Sequence, residues 1–224
     1  MLRFPSTFMI CCAVLAFSGV ASAQQPESGE IIKYETKDGG MLTAAEIDWS
    51  LYSEIRLDKA KVEFRENWVE DQARVFGNIL REPDLARIRT DMSNMLHRVL
   101  SEKVSGLDGY ALSDQSGRGV LRFTPRIVKL DIFHPGRAQD FVGHVLVDEE
   151  GSMVITLDII DSLTGNLLAS SWNVQVDPQK GFMWSSTSGS NRTAFGQMMK
   201  RWANWQFELL DIVRSGELLP AATD

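Results

Sequence analysis

Two one-sided helical patterns around a run of strand-like alternation constrain this fold more than any other sequence feature. Residues 83–104 and 191–214 carry apolar side chains at three- and four-residue steps, which predicts two helices that each bury one face. Residues 119–133, 152–161 and 167–176 alternate apolar and polar side chains, which predicts three strands. Helices with a single apolar face need a sheet or another helix to cover that face, so both predicted helices should pack on the sheet.

Another strand is predicted over residues 55–65, where the apolar side chains change face partway along. One extra residue in a strand moves all later side chains to the opposite face, so a β-bulge is predicted near Asp58 and Lys59. A shorter helical segment is predicted over residues 67–82. The expected fold class is α+β: a two-layer sandwich whose antiparallel-rich sheet has about four strands, with two main helices on one face.

The first 23 residues have the features of a secretory signal peptide. Arg3 precedes an apolar core, and Ala21-Ser22-Ala23 matches the small residues at which signal peptidase cleaves. We therefore expect cleavage after Ala23 and a periplasmic location, with an uncleaved anchor as the alternative. No later segment is long and apolar enough to predict a transmembrane helix.

Both cysteines, Cys11 and Cys12, lie inside this apolar core. A lipoprotein carries its cysteine directly after small residues at the end of the core, so lipid anchoring is not expected. Cleavage after Ala23 would leave no thiol, no disulfide and no cysteine ligand in the exported protein. The formal net charge of −7 also argues against nucleic acid as a partner, because phosphate binding needs a basic surface.

Composition divides the remainder of the chain into three parts. Residues 24–50 are polar, contain a Gly-Gly pair and show no sustained period, which predicts a linker or a loosely attached arm. Residues 51–216 are expected to form one α+β domain, and residues 217–224 a C-terminal tail.

The hairpin between the last two predicted strands carries the motif Asp161-x-x-Thr164-Gly165. Gly165 suits a positive φ, and the Asp161 carboxylate can accept backbone N–H groups across the turn, so these three residues are predicted to have a structural role. The final predicted helix is rich in aromatic side chains. With Asp161, Thr164 and Gly165, the residues that carry a family resemblance are Phe195, Trp202, Ala203 and Trp205.

Over about residues 50–215, these motifs and the order of elements resemble a bacterial envelope family known as domain of unknown function 3313. Its members are exported proteins of Gram-negative bacteria, and many are lipoproteins. The resemblance implies an envelope location and transfers no catalytic residue and no cofactor. This chain departs from many members because it lacks a usable lipidation cysteine.

One acidic, histidine-containing stretch could hold a metal ion. Asp131, His134 and His144 combine a carboxylate with two imidazoles, which are ligand types that divalent metals accept. Their spacing matches no established metal motif, and Pro135-Gly136 favours a turn, so structural or surface roles are the favoured interpretation and the metal site is the alternative. The acidic residues that follow in the sequence are Asp148, Asp158 and Asp161.

A glycine-flanked apolar cluster, Phe182-Met183-Trp184, is a candidate partner-binding patch. Packing of the same loop over a sheet edge is the alternative. Trp202 falls on an apolar helix face and is expected in the core. His97 falls on the polar side of its helix and is expected to face solvent.

Together these patterns favour a non-catalytic binding or accessory domain of the Gram-negative envelope, with another envelope protein as its partner and no cofactor. The alternative is a periplasmic metal-dependent hydrolase that uses the Asp131/His134/His144 region. A third interpretation is a structural protein that self-associates through an uncovered strand edge, and the oligomeric state stays open. No nucleophile elbow, phosphate-binding loop or dinucleotide fingerprint is present.

Overall fold

The computed structural model describes residues 31–36, 39–77, 79–132, 146–147, 151–173, 184–185 and 188–215. The predicted signal peptide and C-terminal tail lie outside the described residues. The helices are α1 (Trp68–Phe76), α2 (Glu82–Ser105) and α3 (Ser188–Ser215). The strands are β1 (Ile31–Thr36), β2 (Gly39–Ala44), β3 (Glu54–Leu57), β4 (Lys61–Phe64), β5 (Ala111–Leu112), β6 (Val120–Ile132), β7 (Leu146–Val147), β8 (Gly151–Asp161), β9 (Leu167–Asn173) and β10 (Trp184–Ser185).

The main sheet is mixed and has eight strands in the order β1-β2-β9-β8-β6-β3-β5, with β4 also paired to β6. Strands β3 and β4 run parallel to β6, and β5 runs parallel to β3, whereas the other pairs are antiparallel. The α+β class is thus confirmed, but the expected sheet of about four strands is wrong, and the described helices number three. The extra strands β1, β2 and β5 are short and lack the clear alternation that marks β6 and β8.

Strands β1 and β2 lie within the segment predicted as a polar linker or arm. They pair with each other, and β2 joins the sheet through β9, with Met41 fully buried. The Gly-Gly pair that suggested a linker serves close packing instead: a Cβ atom at Gly40 would lie 2.5 Å from Cζ2 of Trp172. The hairpin therefore belongs to the sheet, while the predicted domain boundaries stay a prediction.

The predicted bulge near Asp58 and Lys59 is confirmed as an interruption between β3 and β4. Both strands pair with β6, but residues 58–60 belong to neither strand. Ile55 before the interruption and Val62 after it are both buried in the core. Pro125 lies opposite, between the β6 residues that pair with β3 and those that pair with β4, where its missing N–H costs no hydrogen bond to either strand.

The core lies between one face of the sheet and the helices. Leu121, Phe123 and Ile127 of β6 are buried in it, while the residues at positions 122, 124, 126 and 128 are only half-buried. Helices α2 and α3 confirm the two long helical predictions and contact each other. Trp202 is buried as expected. In the described part of the chain no helix is both long and apolar enough to cross a membrane.

Candidate functional site

A polar cleft of about 390 Å³ lies at the edge of the sheet, where the interruption between β3 and β4 faces α2. The neighbouring parallel strands β3 and β5 both end here, so the residues that follow each strand meet at one place. Helix α2 supplies the opposite wall. The charged and polar side chains that line the cleft include Arg56, Asp58, Lys59, His97, Ser101 and Asp114.

The backbone and side chain of Asp58 fix the interruption by hydrogen bonds to β6. Its backbone N–H donates to the carbonyl oxygen of Phe123 at 2.9 Å. Its Oδ2 accepts from Nε of Arg122 at 2.7 Å and from Oγ1 of Thr124 at 3.2 Å. Because these contacts bond residue 58 to three consecutive residues of β6, the interruption is a built feature rather than a frayed strand end.

The two cations of the cleft, Arg56 and Lys59, each make their closest hydrogen bond to a neutral side chain. Arg56 donates from Nη1 to Oγ of Ser116 at 2.6 Å, and its Nη2 lies 3.9 Å from Oδ1 of Asp58. Lys59 donates from Nζ to the amide oxygen of Asn94 at 3.1 Å. These contacts position both positive groups without fully neutralising them, because the closest partner of each is uncharged.

His97 is half-buried in the wall of the cleft rather than facing open solvent as expected. Its Nδ1 atom is buried and makes no hydrogen bond in the described chain. Ser101, one turn later, donates to the backbone carbonyl of His97 at 2.8 Å. Its place on the polar side of α2 predicted that His97 would be exposed. No pattern within the helix indicates that β3, β4 and β5 pack against α2.

Asp131, the carboxylate of the candidate metal site, is bonded to an arginine. Nε of Arg65 donates to its Oδ2 at 2.6 Å, and Nη2 of the same arginine donates to Asp71 at 2.9 Å. His134 and His144 lie outside the described residues. Within the described ranges no group of three His, Cys, Asp or Glu side chains could hold a metal ion. Because two of its three residues are not described, the candidate metal site stays a prediction.

Of the candidate partner-binding patch, only Trp184 lies within the described residues. Phe182 and Met183 lie outside the described residues. The backbone of Trp184 pairs with Val147 in the two-stranded sheet of β7 and β10. This pairing joins the β6–β8 and β9–α3 connections, and the patch itself stays a prediction.

The hairpin turn after β8 is organised by Asp161. Its Oδ1 accepts the backbone N–H groups of Leu163 and Thr164 at 2.8 and 2.9 Å, and Gly165 adopts a φ of 80°. Its Oδ2 accepts the hydroxyl of Tyr52 at 2.7 Å, a contact that no sequence pattern indicated. This turn is thereby attached to the segment that precedes β3.

The contact between Tyr52 and Asp161 contributes to a shift in the pKa of each group. Burial and the hydrogen bond to the Asp161 carboxylate raise the pKa of Tyr52 to about 12. Partial burial would raise the pKa of Asp161, but hydrogen bonds from the Thr164 N–H, the Tyr52 hydroxyl and the Leu163 N–H outweigh it and lower that pKa. Each group therefore favours the protonation state it holds at neutral pH.

Replacing Tyr52 by phenylalanine is expected to lower the free energy of unfolding at neutral pH by about 1–2 kcal/mol, since the Asp161 carboxylate loses a partly buried donor. The tyrosine's contribution should be present below its unfolded pKa of about 10 and be lost as pH rises through its folded pKa. The carboxylate's contribution should be lost as pH falls below about 4. Urea unfolding of both proteins across pH measures the difference, with Tyr34→Phe as the control. A pH-independent difference would contradict the linkage.

The comparisons with known proteins find distant structural similarity. The PelC dodecamer from Paraburkholderia phytofirmans aligns with a TM-score of 0.35 and 9% identity over 77% of this chain and 95% of that chain. A neuraminyllactose-binding hemagglutinin homolog from Helicobacter pylori aligns at 0.31 and 14% identity over 73% and 88%. XCC0632 from Xanthomonas campestris, of family model DUF330, aligns at 0.33 and 11% identity over 81% and 92%.

No family model and no curated protein matches the chain. The resemblance to domain of unknown function 3313 therefore stays a prediction. The similarity to these three bacterial proteins is distant and structural only.

Proposed function

We propose that this chain is an exported domain of the Gram-negative envelope that binds a small polar ligand without converting it. The signal peptide pattern supports export, with cleavage after Ala23 and no lipid anchor. The envelope location and the resemblance to domain of unknown function 3313 are part of the same proposal.

The observation that carries the binding function is the cleft between α2 and the interruption of β3 and β4. Its volume falls in the range of about 300–1,000 Å³ that small-molecule sites occupy. Its polar groups come from three separate segments, and Asp58, Arg56 and Lys59 are held by hydrogen bonds to Arg122, Ser116 and Asn94. Recognition groups that are positioned before a ligand arrives lose little freedom on binding.

The hydrolase alternative gains no support from the described residues. To serve as a metal ligand, the Asp131 carboxylate would have to give up or share the bond that Arg65 makes to its Oδ2. The accessory role adds an envelope protein as a second partner, for which Phe182, Met183 and Trp184 are the proposed contact residues.

A thiol placed in the cleft tests the binding function. Removal of the signal peptide would take Cys11 and Cys12 with it, so a Ser101→Cys variant would carry the single thiol of the exported protein. The low-molecular-mass fraction of a periplasmic extract should slow thiol labelling of this variant severalfold, because a bound ligand covers the wall. The mass of the protein recovered from the periplasm checks the cleavage.

Thr90→Cys is the matched control, since Thr90 lies exposed on the same helix and outside the cleft. Its labelling rate should not change with the extract. Equal protection of both variants, or protection of neither, would overturn the cleft as the binding site.

A further inference from the structure

We infer that the cleft selects a small zwitterion, that is, a solute that carries one carboxylate and one ammonium group, such as a small free amino acid. This inference rests on the proposed binding function and names the ligand class of the same site. It follows from which charges of the cleft are already balanced and which are not.

The negative charge of Asp58 is already balanced by neighbouring arginines. Arg122 donates to its Oδ2 at 2.7 Å, and Arg56 lies 3.9 Å from its other oxygen. With two arginines on one carboxylate, this corner of the cleft keeps an excess of positive charge. Asp58 therefore orients Arg56 and does not itself attract a cation.

Lys59 adds to this positive side. Its ammonium group contacts the neutral amide oxygen of Asn94 at 3.1 Å, so its full charge remains available. Arg56 and Lys59 together can receive a carboxylate, and Arg56 can do so with two parallel N–H donors.

Asp114 provides the negative side. It is exposed and makes no hydrogen bond or ion pair with any other described residue. Ile55 of β3 pairs with Leu112 of β5, so Asp114 and Lys59 both lie just beyond the ends of adjacent parallel strands. Continued beyond the strands, this register would bring Asp114 level with Leu57, two residues before Lys59, and both charged side chains line the same cleft.

The remaining wall favours a small polar molecule over a sugar. Helix α2 contributes the polar side chains of His97 and Ser101 to the opposite wall of the cleft. None of the side chains described along the cleft is Phe, Tyr or Trp, the residues on which sugar rings stack. The volume of about 390 Å³ is near the lower end of the range for ligand sites.

Calorimetric titration with three probes of similar size tests this inference. L-serine carries both charges, ethanolamine lacks the carboxylate, and 3-hydroxypropanoate lacks the ammonium group. We expect L-serine to bind the exported wild-type protein at least about tenfold more tightly than either of the others, because each of these leaves one charged side of the cleft unpaired.

Two variants assign the two ends of the ligand. Lys59→Met should reduce the preference for L-serine over ethanolamine at least about threefold, with Arg56 retaining the rest, and Asp114→Asn should bind L-serine and 3-hydroxypropanoate with affinities that differ by less than about twofold. Lys61→Met is the control, because that exposed lysine pairs with Glu63 at 2.6 Å and does not line the cleft. Thermal melts check that each variant is folded.

Three results would overturn the zwitterion inference. If either single-charge probe binds wild type as tightly as L-serine, the cleft does not select for both charges, and the proposed binding function stands. If no probe binds while the extract still protects the Ser101→Cys thiol, only the ligand class is wrong. If the extract protects nothing and no probe binds, the proposed function fails as well.

Discussion

Replacing Gly151 by alanine is expected to lower the free energy of unfolding by about 2–5 kcal/mol, the combined cost of a strained backbone and an overpacked site. Gly151 begins β8 with a φ of 124°, a region that alanine rarely adopts. A Cβ atom there would lie 2.2 Å from the carbonyl oxygen of Asp131 on β6. The backbone of one of the two central strands would therefore have to move. Denaturant unfolding measures the loss.

Gly165→Ala is the matched control for this prediction. Gly165 also has a positive φ, of 80°, but nothing lies within 4 Å of the Cβ position. Gly165→Ala should lower the free energy of unfolding by about 1–2 kcal/mol, the cost of a left-handed backbone for a residue with a Cβ atom. If both variants unfold at the same denaturant concentration, the close approach to Asp131 does not limit the packing of β6 and β8.

Replacing Trp68 by alanine is expected to cost about 3–5 kcal/mol, which is the usual range for removing a buried large aromatic side chain. Trp68 is 1% exposed and stacks on Phe64 of β4, with ring centroids 4.5 Å apart. Its Nε1 donates to the carbonyl oxygen of Ile132 at the end of β6 at 3.1 Å. One side chain thus joins α1 to both β4 and β6.

Trp68→Phe separates the packing from the hydrogen bond. It keeps a ring against Phe64 but leaves the Ile132 carbonyl without this donor, so we expect a loss of about 1–3 kcal/mol. Thermal and denaturant unfolding of both variants gives the two contributions. An alanine variant no less stable than the phenylalanine variant would show that the stack with Phe64 contributes little.

Much of the fold follows from local sequence patterns. Alternation and the turn residues predict β8 and β9 together with their hairpin, and the apolar stripes predict α2 and α3. The interruption near Asp58 can also be predicted from the sequence, because a change of face along a strand requires an extra residue. These features depend on neighbours within a few positions, which is the range over which a periodic pattern carries information.

The parallel pairs and the cleft could not be predicted in the same way. Strand β5 has two exposed residues and no alternation, so its place beside β3 depends on contacts outside its own sequence. The cleft joins Arg56, His97 and Asp114 from three distant segments, and no motif connects them. For Tyr52 and Asp161, likewise, only the folded chain reveals the hydrogen bond.

The mixed pairing of β6 has a consequence for the order of folding. Its partner β8 is followed directly by β9 across a tight turn, so β8–β9 pairing closes a short loop, whereas β3 meets β6 only after α1 and α2 have intervened. Contacts between distant segments cost more chain entropy and form later than local hairpins. We therefore expect the β3–β6 ladder, and with it the ligand cleft, to be assembled late, so that an occupied cleft marks a chain that has finished folding.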